Sequence, residues 1–282
     1  MSTHMEQRDW QIGLEVFQAS LPRRGDKGRN DRLFLEALHY FAVHNVTWRA
    51  LPERFGNWNS IWKRFWRLSQ SGVFEMFFDM LASLSKSAHL VQMFDSTVVL
   101  SPCLGSGRKR GQQNQALGRS RGGFPTKIHL KTGKHGHLIA FDLTGGEKGG
   151  CPHFPVLLDP GPGIKPRAAI GGKGYDSKAN RALCRSRRMV PVIPQKSTAK
   201  NKPKNFPHLL YKARPRIEIA VGKLKRCKRI ALRCEKTAKN FASFVAISAG
   251  FILIKSVYGL TYSGFDRKAV ISNSAEIVPA AS

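Results

Sequence analysis

The order of the short apolar segments between residues 90 and 193 constrains the fold of this chain more than any other feature. Three β-branched runs come first, with the hairpin signal GKHG between the second and the third, and a strand–helix–strand pattern follows. The strands read LVQMFDSTVVL, TKIHLKT, HLIAFDLT, RAAIG and VPVI, and the helix is expected at about residues 177–187. Such an order predicts an α/β domain with a mixed sheet flanked by helices.

The first ninety residues are predicted to be helical. Asn30 or Asp31 can cap one apolar-periodic segment, and Ser60 offers a cap for the segment IWKRFWRLSQ. Gly72 then interrupts the chain before the apolar stripe VFEMFFDMLASLS, so the pair resembles a helix-turn-helix. An ordinary helical bundle with a solvated basic face is the alternative. The cations that this pair would offer to DNA phosphates are Lys63, Arg64 and Arg67.

The charge of the chain narrows the class of partner. The 47 Lys and Arg residues exceed the 18 Asp and Glu residues, which gives a net charge of +29 and favours a polyanion such as nucleic acid. The longest apolar run, residues 241–254, is shorter than the roughly 18 residues of a spanning helix and predicts a core helix instead. Five scattered cysteines without a CxxC pair argue against a zinc ribbon and favour a reducing cytoplasm.

Asp95 is a candidate metal ligand because it lies inside a predicted strand, between Phe94 and Ser96. A carboxylate in the middle of a strand is costly to bury unless it is paired or binds a cation. The alternative is a carboxylate that local hydroxyl groups hold in place.

Glu218 is a second candidate. Tyr211, Arg214, Glu218 and Lys225 have the spacing Y-x2-R-x3-E-x6-K, which places them within an arc of roughly 60° on a helix. Residues 196–239 contain 15 Lys or Arg residues but only two acids, so a metal-binding role beside phosphates fits Glu218. The alternative is an i,i+4 pair with Arg214 on a solvated helix. Pro215 favours a first helical turn, so Tyr211 is expected to precede the helix.

Several long motifs, in order, give the chain a specific resemblance. The strings QMFDSTVV, ALGRSRGGFPTKIHLKT, KGYDSKANR, PVIPQKSTAKN, the Y-x2-R-x3-E-x6-K spacing and KLKRCKRIALRCEKTAKNFASFVA together resemble a bacterial insertion-sequence DDE transposase of the fifth insertion-sequence family. The resemblance covers about residues 10–258. It implies a helical DNA-handling region at residues 1–88, a ribonuclease-H-like DDE domain at 89–262 and a loose tail at 263–282.

The same resemblance implies a catalytic site of three carboxylates that hold two Mg²⁺ ions, with Mn²⁺ as a substitute. Asp95, at the end of its strand, matches the first carboxylate and Glu218 the third. The implied partners are double-stranded DNA, as element ends and target, and further copies of the chain in a homo-oligomer. The implied location is the bacterial cytoplasm at the nucleoid, with no membrane. The residues expected to contact DNA phosphates are Tyr211, Arg214, Lys225, Lys173, Arg119 and Arg121.

The second carboxylate of the family pattern is missing. Similar proteins read D-K-G-Y-D after a strand, whereas this chain has Gly172 in place of the first aspartate. Asp176 matches the later aspartate and is a poor substitute, because its place near a helix start suits capping. Further departures at residues 100–103 and 148–151 indicate a decayed copy.

The sequence therefore predicts a cut-and-paste transposase lineage whose present copy is catalytically impaired. The first alternative is a non-catalytic DNA-binding repressor that occupies element ends. The second is a ribonuclease-H-like nuclease without transposition, which the transposase resemblance along nearly the whole chain disfavours.

Overall fold

The structure, a computed structural model, describes residues 4–22, 30–83, 90–101, 115–118, 123–161, 165–196 and 205–258. A five-stranded mixed sheet forms its centre. The strands are β1 (Val91–Leu100), β2 (Pro125–Gly133), β3 (Leu138–Gly145), β4 (Ala168–Gly171) and β5 (Val190–Val192). Their order in the sheet is β3-β2-β1-β4-β5. The first three strands pair antiparallel, and β4 and β5 join β1 in parallel. The predicted ribonuclease-H-like α/β fold is confirmed.

Helices surround this sheet and form the N-terminal region, as predicted. They are α1 (Gln7–Ser20), α2 (Asp31–His44), α3 (Trp58–Gln70), α4 (Val73–Ser83), α5 (Gly150–Leu158), α6 (Lys178–Ser186), α7 (His208–Tyr211), α8 (Pro215–Lys225), α9 (Lys228–Ala231) and α10 (Ala238–Leu253). Short 3₁₀ turns at Trp48–Ala50, Glu53–Phe55 and Lys173–Tyr175 and a π-turn at Ile254–Tyr258 complete the described elements.

The N-terminal caps agree with the sequence at one helix and differ at another. Asn30 caps α2, because its side chain accepts the Leu33 N–H at 2.9 Å. Ser60 does not cap α3; Asn57 accepts the N–H groups of Asn59 and Ser60 at 2.9 and 3.4 Å, so the helix begins earlier than expected. Asn is as good an N-cap as Ser, and Trp58 and Asn59 are compatible with a first turn.

Helix α10 forms the centre of the helical core, as the apolar run predicts. Phe244 is fully buried and contacts the rings of Phe65 and Trp48, with ring centroids 4.7 and 6.1 Å away. The helical stretch Ala238–Ser256 is long and apolar enough to cross a membrane, but 67% of its most apolar window is buried inside the protein. Burial against α1 to α4 is the behaviour of a core helix.

Helix α5 is missing from the sequence-based expectation, since Pro152 and Pro155 argue against it. Pro152 lies in the first turn, where its missing N–H is not needed. Pro155 leaves the carbonyl of Cys151 without its helical donor, and the side chain of Asn180 donates to that carbonyl at 3.0 Å instead. Phe154 is fully buried beneath β1, which compensates for the poor local propensity.

Candidate active site

Asp95 and Gly172 lie side by side at the end of β4. In the parallel pairing of β1 with β4, Phe94 faces Gly171, so the next residues along the two strands are Asp95 and Gly172. Strand β1 continues to Leu100 through its pairing with β2. Asp95 is therefore in the middle of β1, and the expectation from the resemblance that it lies at the end of its strand is wrong. The strand that ends beside Asp95 is β4.

The carboxylate of Asp95 is half-buried and has two named partners. Its Oδ1 accepts the N–H of Ser96 at 2.8 Å, and its Oδ2 lies 3.6 Å from Nη2 of Arg214. Burial raises the pKa of Asp95 above its ordinary value, and the neighbouring Glu218 acts in the same direction. The Ser96 hydrogen bond and the Arg214 charge oppose that rise without cancelling it.

Glu218 reaches the same place from α8. Pro215 occupies the first turn of this helix and Tyr211 precedes it in α7, as the sequence indicates. Ile217 and Leu224 bury one face of α8 against the sheet, which leaves Glu218 on the accessible face. Nη1 of Arg214 donates a hydrogen bond to Oε1 of Glu218.

Arg214 is consequently the group on which the site converges. Its guanidinium contacts both Asp95 and Glu218, and it also lies against Gly172. A Cβ atom added at Gly172 would be 3.1 Å from Nη2 and 3.4 Å from Nε of Arg214. Gly172 contributes no side-chain oxygen, so the side chains that meet here are two carboxylates and one guanidinium.

The remaining phosphate-contact candidates have different placements. Lys173 and Lys225 are exposed, and the Lys225 ammonium donates to the carbonyl of Val98 on β1 at 3.3 Å. Tyr211 is half-buried with its ring 5.3 Å from that of Phe206. Arg119 and Arg121, together with the rest of the basic loop at residues 102–114 and 119–122, lie outside the described residues.

The N-terminal candidates divide into two groups. Lys63 and Arg67 are exposed on α3. Arg64 is only 8% exposed, forms an ion pair with Asp31 at 2.5 Å, and lies 4.4 Å from the ring centre of Phe34. Burial and pairing therefore withdraw the guanidinium of Arg64 from solvent, whereas Lys63 and Arg67 are accessible.

Two cations of the basic segment are also structural. Arg229 is 3% exposed and pairs with Glu235, while Arg233 is fully buried and donates to the carbonyl of Ala116 at 2.9 Å. The guanidinium groups of these two arginines therefore contact the interior of the protein and are withdrawn from solvent. The exposed cations on and near α8 and α9 are Lys212, Arg216, Lys225, Arg226, Lys228 and Lys236.

Asp176 is held away from the site. Arg181 donates to its Oδ1 at 3.0 and 2.8 Å, and the N–H of Lys196 donates to its Oδ2 at 2.9 Å. Although burial alone would raise the pKa of Asp176, these hydrogen bonds lower it. The carboxylate is satisfied where it stands, so substitution for the missing ligand would require three hydrogen bonds to break.

Tyr175 is a neighbour of the site that sequence reasoning did not single out. Its side chain is 4% exposed and lies between α5 and the end of β4. Burial, followed by the nearby Asp95 carboxylate, raises the pKa of Tyr175. The sequence shows that this tyrosine belongs to the string KGYD, but no local pattern distinguishes it from an ordinary core residue.

The residues present do not fit a two-metal centre. Within the described parts of the chain, no three His, Cys, Asp or Glu side chains are close enough together to hold a metal ion. Asp95 and Glu218 are the only two of the three implied carboxylates that the chain retains, and both already contact a guanidinium. A pair of adjacent divalent ions needs more negative charge than this arrangement supplies.

Comparison with known proteins identifies two family models along the chain. The model described as "Putative transposase of IS4/5 family" matches residues 5–78, and the model described as "Transposase DDE domain" matches residues 86–251. A DDE domain implies dependence on divalent metal in general. The first match ends at residue 78, within α4, and the second begins at residue 86, before β1.

Two curated relatives match at moderate identity. A "Putative transposase for insertion sequence element IS6501" from Brucella ovis is 32% identical over 130 residues, which are 46% of this chain and 98% of that protein. An "Uncharacterized protein y4sN" from Sinorhizobium fredii is 37% identical over 94 residues, 31% of this chain and 73% of that protein.

A solved structure, that of a pre-cleavage Mos1 transpososome, is similar at 10% identity over 86% of this chain and 83% of that chain. Its TM-score is 0.25, too low to bear on the fold. The DDE model, by contrast, covers more than half of the 282 residues, and the Brucella ovis transposase is matched over nearly its whole length. The chain therefore belongs to the DDE transposases of insertion-sequence elements.

Proposed function

We propose that this chain binds the ends of an insertion sequence as a transposase, and that its own phosphodiester cleavage and strand transfer are impaired. The single observation that carries the proposal is Gly172 beside Asp95 at the end of β4, in a chain of the DDE family. The family supplies the reaction class, and the glycine removes a carboxylate from the place where that reaction is expected to occur.

DNA binding is supported by the distribution of cations around the site. The exposed Lys and Arg residues of α8 and α9 lie on the same part of the chain as Glu218, and Lys173 follows Gly172 directly. Positive charge of this density attracts phosphates irrespective of base sequence. The proposed contacts are Lys173, Tyr211, Arg214 and Lys225 near the site and Lys63 and Arg67 on α3, with Arg119 and Arg121 as further proposals from the sequence.

Binding by further copies of the chain is part of the proposal, because two element ends must be brought together for transposition. The expected substrates are the two ends and a target duplex, and the expected location is the bacterial nucleoid. Mg²⁺, with Mn²⁺ as a substitute, is the proposed cofactor of any cleavage that the chain retains.

The test separates binding from cleavage. We expect the chain to bind a labelled duplex that carries the terminal sequence of its element, but not to nick that duplex in an excess of Mg²⁺. Gly172→Asp should increase nicking by at least about 100-fold, since even partners of metal ligands contribute about 10- to 100-fold. Gly172→Asn is the matched control, because it adds the same volume without the charge.

Two outcomes would contradict the proposal. Strong nicking by the unaltered chain would show that Gly172 does not impair it, and loss of that nicking in Asp176→Ala would then identify Asp176 as the substitute. Failure of the unaltered chain to bind the duplex at low salt would remove the proposed DNA-binding role.

A non-catalytic repressor is the second candidate function. The observation that favours it is the guanidinium of Arg214 between the two remaining carboxylates, an arrangement suited to binding rather than to cutting. If Gly172→Asp binds normally and still does not nick, while the unaltered chain lowers transposition by an active relative in the same cell, the repressor function is favoured.

A further inference from the structure

We propose that the guanidinium of Arg214 is the cation that occupies the site between Asp95 and Glu218, and that the absence of a side chain at Gly172 leaves space for it. On this view the glycine has two effects: it removes a carboxylate, and it opens the space beside Asp95 to an internal cation. The side chain of Arg214 then keeps divalent metal away from Asp95 and Glu218. The proposal concerns the same site as the proposed function but does not depend on DNA.

The contacts of Arg214 are those of a bridging cation. Nη1 donates to Glu218 and Nη2 lies 3.6 Å from Oδ2 of Asp95, so one planar group contacts both carboxylates. The side chain is 24% exposed and that of Asp95 is 23% exposed, which limits the screening of their charges by water. A divalent ion would have to compete with this guanidinium for the same oxygen atoms.

The third side of the guanidinium faces the position of the missing side chain. Nε of Arg214 is buried without a hydrogen-bond partner, although a guanidinium Nε–H normally finds an acceptor. A Cβ atom at residue 172 would lie 3.4 Å from this Nε and 3.1 Å from Nη2. The closer distance is tighter than an ordinary van der Waals contact, so a side chain at residue 172 would require the guanidinium to shift by a few tenths of an ångström.

The backbone around Arg214 fixes this arrangement. Arg214 immediately precedes α8, its N–H donates to the carbonyl of Tyr211 at 3.0 Å, and its carbonyl accepts the N–H of Ile217 at 3.1 Å. Pro215 then sets the direction of the helix that carries Glu218. Arg214 is therefore held at both ends, by the backbone at the start of α8 and by the two carboxylates.

The net charge of the group explains why metal would be excluded. Two carboxylates and one guanidinium sum to −1, whereas the same carboxylates without Arg214 would present −2 to an ion. Hard cations such as Mg²⁺ and Mn²⁺ bind through negatively charged oxygens, and a cation at the same oxygens opposes them directly. Removal of the guanidinium charge should therefore create a metal site from residues already present.

The experiment measures Mn²⁺ binding to the full chain without DNA, by the loss of the free-ion signal in electron paramagnetic resonance. We expect Arg214→Gln to bind Mn²⁺ with a Kd at least tenfold below the highest Mn²⁺ concentration at which the unaltered chain shows no saturable binding. Arg214→Lys, which keeps the positive charge, should behave like the unaltered chain. Arg216→Gln removes an exposed charge two residues away and should not create a site.

Asp95→Asn combined with Arg214→Gln assigns the new site, since the gain should disappear. The proposal is overturned if the unaltered chain binds Mn²⁺ as tightly as Arg214→Gln does, or if Arg214→Gln is folded by circular dichroism and gains nothing. If Arg214→Gln does not fold, the proposal is tested by Gly172→Val, whose side chain should displace the guanidinium and tighten Mn²⁺ binding; no tightening would overturn it. None of these readouts requires cleavage, so failure of the proposed DNA function leaves the test intact.

Discussion

The ion pair of Arg229 with Glu235 connects the segment after α8 to the N-terminal helices, and its loss should destabilise the whole chain. Both residues are buried, at 3% and 6% exposure, and Nε of Arg229 lies 2.8 Å from Oε1 of Glu235. Nη1 of Arg229 also donates to the carbonyl of Val46 at 2.9 Å. The guanidinium lies 4.5 Å from the ring centre of Phe244 in α10.

Glu235→Gln is the change to make, because it removes the charge and keeps the shape. It leaves a buried guanidinium without its counter-charge, which typically costs about 3–5 kcal/mol. The aromatic ring and the Val46 carbonyl remain as partners and should retain about 1–2 kcal/mol. We therefore expect a loss of about 3 kcal/mol in the free energy of unfolding, or a decrease of roughly 6–12 °C in Tm.

Urea denaturation followed by circular dichroism measures this free energy. The matched control is Arg187→Gln, which breaks an exposed pair with Asp159 and should cost less than about 1 kcal/mol. The double variant Arg229→Met with Glu235→Leu should recover most of the loss, because two apolar side chains need no counter-charge. A loss below about 1 kcal/mol in Glu235→Gln, or a double variant as unstable as the single one, would refute this reasoning.

Three further predictions concern pH, salt and helix capping. His129 is fully buried, and burial lowers its pKa to about 3, so below pH 6.5 the unfolded chain binds a proton that the folded chain does not. The free energy of unfolding should therefore decrease as the pH falls from 6.5 towards 3. His129→Phe should reduce this decrease, whereas His135→Phe, at an exposed histidine, should not. DNA affinity should fall steeply with salt, with a log–log slope of about −0.9 per phosphate contact, and Lys225→Ala should make the slope shallower by about 1; a slope near zero for the unaltered chain would exclude electrostatic binding. Asn57→Ala should cost about 1 kcal/mol in urea denaturation, and an equal loss in Ser60→Ala would show that the cap is misassigned.

The sequence by itself determined the strands, the core helix and the residues of the site. Alternation and β-branched runs are local properties, so all five strands and the helix after Ser177 could be predicted from their own residues. The same holds for α10, because an apolar run of that length must be buried. Asp95 could be named from its place in a strand and Glu218 from its helical spacing, whereas Gly172 could be named only from the resemblance to the family.

Local patterns could not predict α5, because its stability comes from distant residues. Two prolines oppose that helix locally, whereas the burial of Phe154 and the hydrogen bond from Asn180 to Cys151 favour it. Those contacts join residues that are far apart in the chain.

Only the tertiary structure decided which cations are exposed. Arg64, Arg229 and Arg233 look like their neighbours in the sequence, yet each is buried by partners that are remote along the chain. These partners are Asp31 and the rings of Phe17 and Phe34 for Arg64, the carbonyl of Val46 and the ring of Phe41 for Arg229, and Ala116 for Arg233. The sequence likewise names Arg214 only as a candidate for contact with DNA phosphates, and it is the packing of β1, β4 and α8 that places Asp95 and Glu218 at its guanidinium as well. A charge is free or neutralised according to what lies within a few ångströms of it, and that distance is set by the packing of whole elements rather than by adjacent residues.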